Sequence, residues 1–326
     1  MPKVSVIVPV YNVSPYIERC ARSLFEQTLD ELEIIFVDDC SPDDSICKIK
    51  NVLTNYPQRQ RQTKIIQLSE NVGLAGARKK GIEEAHGEYI IHCDADDWVD
   101  LSLYHDLYYQ AIDTCSDIVT CDMIYEYGNR SECRHFEMTN EIPRNILKKW
   151  YRDTLHMSAC NKLVKRNIYI ENSLLPWTGL NMWEDNGLIT RVFYYAHKIT
   201  SYIGSSAYHY NHLNTNAMTA GYGEKQVNQM IGIASNLAEF FESKPDGAEF
   251  EKTVNAFKYL ARINLITDSY KRYSRFKKTF PESVLIASEL DREAFSRKGK
   301  IRFYMVKNGG ALLFISLFKL RKLLFK

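Results

Sequence analysis

Val4-Ser-Val-Ile-Val-Pro-Val-Tyr-Asn12 opens the chain with a β-branched apolar run that ends at Tyr11-Asn12. A run with so little polar interruption reads as a strand covered on both faces. Ser14-Pro15 then has the form of an N-cap and a first-turn proline, and Ile17, Cys20, Ala21 and Leu24 recur at helical spacing. Glu33-Ile-Ile-Phe-Val37 is the next strand; it ends on Asp38-Asp39 and passes through Ser41-Pro-Asp-Asp44 into another helix. This strand-helix-strand unit sets the class as α/β.

The alternation continues outward from that unit. Lys64-Ile-Ile-Gln-Leu68 is a third strand, Asn71 to Arg78 a glycine-bearing turn opening a helix that runs to about Ala85, and Tyr89 to Cys93 a fourth strand. A helix from about Leu101 and a strand at Asp117 to Cys121 follow. The pattern predicts a mostly parallel, Rossmann-like sheet sandwiched by helices, with ligands beyond the carboxyl ends of its strands. Residues 125–155 read as connecting structure, with a helix after Pro143. Cys160 to Val164 reads as a short strand or turn, Trp177 to Met182 as a loop, Glu184 to Tyr195 as a helix, and Tyr208 to His212 as the end of an extended run. From Lys225 onward the period is helical, broken at Pro245-Asp-Gly247 before a second helix near 250–273. A boundary near 224 is therefore expected, with a C-terminal α-helical region over 225–326.

Composition narrows the class. A chain of 326 residues with 45% hydrophobic and 25% charged residues is globular rather than disordered or fibrous. The eight cysteines include no C-x-x-C pair and several lie inside apolar runs, as expected of small hydrophobes in a reducing compartment. Met1-Pro2-Lys3 leads straight into a strand without the apolar region of a secretory signal, so a cytoplasmic location is expected. The net charge is only +2, yet no acid follows Glu293 while Lys298, Lys300, Arg302, Lys307, Lys319, Arg321, Lys322 and Lys326 do.

The chemistry concentrates at strand ends. After Tyr89-Ile-Ile91 come Asp94, Asp96 and Asp97, three carboxylates within four residues. Such a cluster suits a hard divalent cation, Mn²⁺ or Mg²⁺, that shares phosphate oxygens with its ligand; aspartates also serve as ordinary turn and cap residues. Asp38 suits a helix-entry turn, whereas the Asp39 carboxylate can accept the imide N–H of a uracil ring. G-x-G-x-x-G is absent after the first strand, which argues against a nicotinamide enzyme. Gly73 and Gly76 make a turn into a helix, and Arg78 on its first turns is expected to face an anionic ligand.

Val4 to Asn12, Val37-Asp-Asp-Cys-Ser-Pro-Asp-Asp44, Glu70 to Arg78 and Cys93-Asp-Ala-Asp-Asp-Trp98 resemble, in order and spacing, the signature of family 2 glycosyltransferases of the GT-A fold. The likeness continues more loosely through Asn161-Lys162-Leu163, Trp183-Glu-Asp185 and Tyr208 to Thr219. It implies a nucleotide-binding half over 1–125 and an acceptor-binding half over 126–224. It further implies a nucleoside pocket edged by Pro9, Val10, Tyr11 and Asn12, uracil on Asp39, and Arg78 close to the nucleotide. Asp94, Ala95 and Asp96 would then hold ribose and the metal, with Asp96 the direct ligand and Asp94 its companion. The base would be Asp185, with Glu184 as runner-up, because transfer with inversion needs a carboxylate beside the acceptor hydroxyl.

One departure stands out: where related enzymes often carry diphosphate-binding arginines, this chain has His209, Asn211, His212 and Asn214. His209 and His212 are candidate diphosphate or acceptor contacts. Trp177 and Trp183 either stack on an acceptor sugar or fill the core. Gly309 to Lys326 is apolar with basic punctuation, short for a bilayer span, and suits either a helix in a membrane interface or one docked on its own domain.

The resemblance implies a metal-dependent inverting transfer from a UDP-sugar to a carbohydrate or lipid-linked oligosaccharide acceptor in polysaccharide or glycolipid assembly. Peripheral contact with the inner membrane face is one of the two readings open for the basic tail, and no nucleic acid partner is expected. Two rivals stand beside it. A haloacid-dehalogenase-type phosphohydrolase also uses Asp-x-Asp at a strand end, though glycine and threonine usually follow where this chain has Asp97 and Trp98. The other is a non-catalytic nucleotide-sugar-binding protein.

Overall fold

A computed structural model describes residues 1–136, 141–149, 157–215, 217–218, 223–266 and 270–288, together with residues 310, 313, 315 and 316. The chain divides into two compact units, one of residues 1–144 and 157–220, the other of residues 145–156 and 221–326.

In the first unit β1 (Val4–Val10), α1 (Ile17–Phe25), β2 (Leu32–Asp38), α2 (Ser45–Leu53), β3 (Thr63–Gln67), α3 (Gly73–Glu84) and β4 (Tyr89–His92) alternate as the apolar runs predict. The helix after β1 begins later than Ser14 suggests. Val13 O accepts the N–H groups of Tyr16 and Ile17 at 2.9 and 3.1 Å, so a turn precedes α1 and Tyr16 is its cap residue. Ser14 instead hydrogen-bonds Asp44 and Lys48 across to α2. β5 (Trp98–Val99), α4 (Leu103–Thr114), β6 (Ile118–Thr120), β7 (Met123–Glu126) and β8 (Ser131–Arg134) follow.

After α5 (Pro143–Lys149) come β9 (Lys162–Lys165), α6 (Arg166–Glu171), α7 (Glu184–Tyr195), β10 (Ile199–Ser201) and β11 (Tyr208–Asn211). Seven strands form the main sheet in the order β10-β6-β9-β4-β1-β2-β3, parallel except for β9. β1 lies between β2 and β4, so the strand order reverses there, and the crevice at that switch point lies beyond the carboxyl ends of β1 and β4. Pro9 fits this central strand for a local reason. Ile7 O accepts Cys93 N–H and Val10 O accepts Asp39 N–H, so odd residues of β1 face β4 and even ones face β2. The N–H that Pro9 lacks would point toward β4, which has ended at His92 opposite Ile7.

A second, four-stranded sheet has the order β5-β11-β7-β8, and its β7-β8 hairpin takes up the first part of the stretch expected as connecting structure over residues 125–155. Its hairpin turns near Gly128 at φ +88°, and β8 is exposed at every residue. Ser131-Glu-Cys-Arg134 therefore shows no apolar alternation; backbone pairing to β7 makes it a strand.

In the second unit α8 (Glu224–Glu242) and α9 (Glu251–Ile263) lie on either side of the predicted break, with Phe241 stacked on Phe250 at 4.6 Å. The helix expected to run to 273 stops at Ile263, where Asn264 folds its side chain back onto Leu260 O at 2.8 Å; α10 (Tyr270–Lys278) is separate. Of the basic tail, Ile315 is buried with Val227, Leu265, Ile266 and Phe276, while Leu313 is exposed; most of the tail lies outside the described residues. Among the described residues no helix is long and apolar enough to cross a membrane.

Candidate functional site

The end of β2 is tied down by backbone. Asp38 Oδ1 accepts Ser41 N–H at 2.8 Å, and the two oxygens of Asp39 accept Val72 N–H at 2.7 Å and Gly73 N–H at 2.8 Å. Asp39 thereby neutralises the donors at the start of α3. Burial, its largest influence, and nearby Asp38 lift its pKa despite these bonds. Gly73 has φ +79°, and a Cβ there would collide with the Asn181 side chain, whose oxygen accepts Ala75 N–H at 3.1 Å. Pro9 and Val10 close β1, and Tyr11 and Asn12 lead away from it toward Ser41. Asn12 is left-handed at φ 53° and donates its N–H to Ser41 Oγ at 2.9 Å, while Tyr11 is 49% exposed.

The three aspartates beyond β4 do not converge; each takes different partners. Asp94 Oδ1 lies 2.5 Å from Arg78 Nη2, and its other oxygen accepts from Cys160 Sγ at 3.2 Å. Asp97 is buried, accepting Tyr208 O–H at 2.6 Å and Asn211 N–H at 2.8 Å. It therefore anchors the loop to β11 and is not a helix cap. Ala95 is buried between them, and Asp96 stays half-buried with Asn214 Nδ2 donating to it at 2.8 Å. Burial first, then the charge of Asp94, pushes the Asp96 carboxyl upward; burial and both neighbours do so more strongly at Asp97.

Arg78, expected to face an anionic ligand, is engaged by two acids of the chain itself. It is 2% exposed, with Nη2 on Asp94 and Nη1 3.1 Å from Glu184 Oε1, an ion pair without hydrogen-bond alignment. A guanidinium buried this deeply is retained as a cation because carboxylates compensate its lost hydration. The bridge joins the end of β4 to the start of α7. There Trp183 is left-handed at φ 67°, Glu184 is buried, and Asp185 is half-buried with Asn186 N–H on its Oδ1 at 2.7 Å. Burial raises both acids, Glu184 to about 8, outweighing the pull of Arg78. Lys162, also buried, donates to Ser158 O and Asn161 Oδ1 at 2.9 and 2.8 Å.

The histidines go elsewhere. His209 places its two ring nitrogens 2.9 Å from Glu126 and 3.0 Å from Asp100, and it stacks on Trp98 at 4.9 Å. With a carboxylate on each nitrogen it offers none to a diphosphate. His212 is exposed and lies flat on Tyr127 at 4.5 Å. Trp177 carries the Arg191 guanidinium 3.8 Å over its ring. Sequence reading missed Tyr208, Asn181 and Cys160, and did not foresee Asn211 and Asn214 as clamps of the acidic loop. Tyr208 and Asn211 lie in β11 and the others in turns and loops, where a polar or aromatic side chain gives no local sign of its distant partner.

The residues present fit a hard divalent ion. Asp94 and Asp96, both half-buried, offer oxygen ligands of the kind such an ion takes. Asp122, Cys133 and His135 also gather, with one ligand atom of each within 4.8 Å of the others. Their thiol and imidazole suit softer metals than Mn²⁺ or Mg²⁺.

Comparison with known proteins identifies the family and the fold. The model of glycosyl transferase family 2 matches residues 5–172. EpsH of Bacillus subtilis (strain 168), named as a glycosyltransferase, is 28% identical over 311 residues, covering 93% of this chain and 88% of its own. Staphylococcus aureus TarS 1–349 in complex with UDP-GlcNAc superposes with a TM-score of 0.71 at 18% identity, over 98% of this chain and 91% of TarS 1–349. The mannosyltransferase PcManGT of Pyrobaculum calidifontis, in complex with GDP-Man and Mn²⁺, gives 0.56 at 19% identity, over 95% of this chain and 80% of that one.

Proposed function

The chain belongs to glycosyl transferase family 2 and has the GT-A fold, and from that membership we propose a metal-dependent, inverting transfer of sugar from a UDP-sugar to an acceptor hydroxyl. Family membership also removes the phosphohydrolase and binding-only readings. The observation that carries the proposal is the Arg78 bridge, because it holds the acidic loop and the start of α7 within one guanidinium of each other. Donor and base chemistry must meet at that distance for a displacement at the anomeric carbon.

Pro9 to Asn12 would edge the nucleoside pocket. Asp39 would take the uracil imide, since each oxygen that holds a backbone N–H keeps a second lone pair. Asp96, with Asp94, would hold Mn²⁺ or Mg²⁺ and the ribose; such an ion, when bound, neutralises charge on a leaving diphosphate. Asp185 would take the acceptor proton. It is the more open of the two acids, and burial raises its basicity, whereas Glu184 is committed to Arg78 and positions it. Attack opposite the leaving UDP turns an α-linked donor into a β-linked product.

TarS with UDP-GlcNAc supports a UDP donor, and the Mn²⁺ complex of PcManGT supports a divalent ion. The acceptor we assign is a carbohydrate or lipid-linked oligosaccharide, in polysaccharide or glycolipid assembly at the inner face of the cytoplasmic membrane, with the basic tail as membrane contact. The test is a panel of UDP-sugars and GDP-mannose assayed with Mn²⁺, with Mg²⁺ and with chelator. Transfer should require a UDP-sugar and a divalent ion, and Asp185→Asn should keep UDP binding while losing turnover by about 10²–10⁴-fold. Wild-type turnover in Asp185→Asn sinks the base assignment, and full activity in chelator sinks the metal.

A further inference from the structure

Beyond the acidic loop, β7, β8 and β11 carry a group of rings and guanidinium groups that the transfer chemistry above leaves unused. Tyr210 and His212 belong to the same segment that clamps the loop through Tyr208, Asn211 and Asn214. His212 stacks on Tyr127 at 4.5 Å and 15°, and Tyr125 lies 5.4 Å from both Tyr210 and His212. Arg130 sits 4.7 Å over Tyr127 and Arg134 4.2 Å over Tyr125. His212, Arg130 and Arg134 are exposed, and Tyr127 and Tyr210 are half-buried. Tyr125 is buried in the hydrophobic core and Tyr127 and Tyr210 pack against it, so the group runs from the core out to the exposed His212.

We propose that this surface is the acceptor subsite and that it takes a saccharide carrying an acidic group, a carboxylate or a phosphate. This rests on the glycosyltransferase reading and specifies its acceptor. The exposed His212 ring, stacked on Tyr127, supplies a flat face for the C–H side of a sugar, with little side-chain entropy to lose. Arg134 is held over Tyr125 and hydrogen-bonded to its side chain, and a guanidinium has further N–H donors for a planar anion. Charge balance favours an acidic guest: Arg130 is only loosely paired, 3.8 Å from Glu132, and among the described residues no carboxylate forms an ion pair with Arg134. Burial and the nearby Arg134 charge hold the His212 pKa down, so near neutral pH its ring is a neutral stacking face rather than a third cation.

Location adds to chemistry. His212 directly follows Asn211, whose backbone N–H is held by Asp97, so one residue of strand, about 3.4 Å, separates the clamp from the first ring. A sugar on these rings would extend from the place where the donor phosphates are expected.

The test is calorimetric binding of three probes to the full chain: tetragalacturonate, maltotetraose 6-phosphate and uncharged maltotetraose. Wild type should bind both charged probes at least about tenfold more tightly than the neutral one, with the preference fading in high salt. The double variant Arg130→Gln/Arg134→Gln should lose that preference, while His212→Ala should weaken all three probes alike. Equal binding of charged and neutral probes, no binding of any, or an undiminished preference in the double variant overturns the proposal. Preference for only one charged probe supports it and tells carboxylate from phosphate. A UDP titration of wild type reads the donor side separately: absence of UDP binding sinks the glycosyltransferase reading and leaves the saccharide result standing.

Discussion

β2 and β4 flank the same strand and both end on aspartates, yet their acids are satisfied in different ways. Asp39 spends both oxygens on backbone N–H groups 33 and 34 residues away, at the start of the helix that follows β3. Asp97, just as buried, spends its oxygens on Tyr208 and Asn211, 111 and 114 residues away. Asp94 depends on Arg78 and Cys160, and Asp96 on Asn214, 118 residues distant. The carboxylate bonds of the first end are complete once two strand-helix units have folded. The second acquires its geometry only when the chain returns through α7 and β11, so it is also the end whose conformation a change far along the sequence can disturb.

That contrast is open to attack, most forcefully at Arg78. Arg78→Ala leaves Asp94 and Glu184 without their buried cation, and breaking a buried pair in this way costs about 3–5 kcal/mol. Urea unfolding should show that loss; a change below about 1 kcal/mol would mean the bridge is incidental. Tyr208→Phe removes one hydrogen bond from buried Asp97 and should cost about 1–3 kcal/mol by the same measurement. Asp39→Asn keeps one acceptor oxygen for the α3 donors and should cost less, about 1 kcal/mol. If Asp39→Asn proved the more damaging of the two, the β2 end would be the more dependent site and the contrast would invert.

The smallest expected effect is a pH dependence. Glu184 ordinarily titrates near 4.5 and is held at about 8 when folded, burial being the main cause. The folded state thus binds the proton more tightly than the unfolded one. Its contribution to stability is full below about 4.5 and is lost as pH rises toward about 8. The melting temperature of wild type should therefore fall across pH 5 to 8 more steeply than that of Glu184→Gln. Parallel profiles would show that the Glu184 proton contributes nothing.

How much of this was legible depended on whether the signal was local. β1 emerged with its bounds intact because a buried parallel strand is apolar at nearly every position, whichever neighbours it has. The Asp39 turn and the onset of α3 could be seen because glycine and aspartate mark such backbone directly. β8 was invisible, being exposed throughout and made a strand by pairing alone. His209 was a candidate diphosphate or acceptor contact because related enzymes often carry arginines in that segment, whereas here Glu126 and Asp100 claim both its nitrogens.

By itself the sequence determined the strand-helix alternation, the places where acids leave the sheet, and the Glu184-Asp185 start of α7. These follow from hydrophobic period, turn chemistry and helix-end preference, which act over a few residues. Tertiary structure alone decided which carboxylate oxygens are already occupied, that Arg78 is a buried bridge, and that Asp185 is the open member of its pair. Those outcomes depend on burial and on partners up to 118 residues apart, and desolvation of a charge is a property of the packed surroundings.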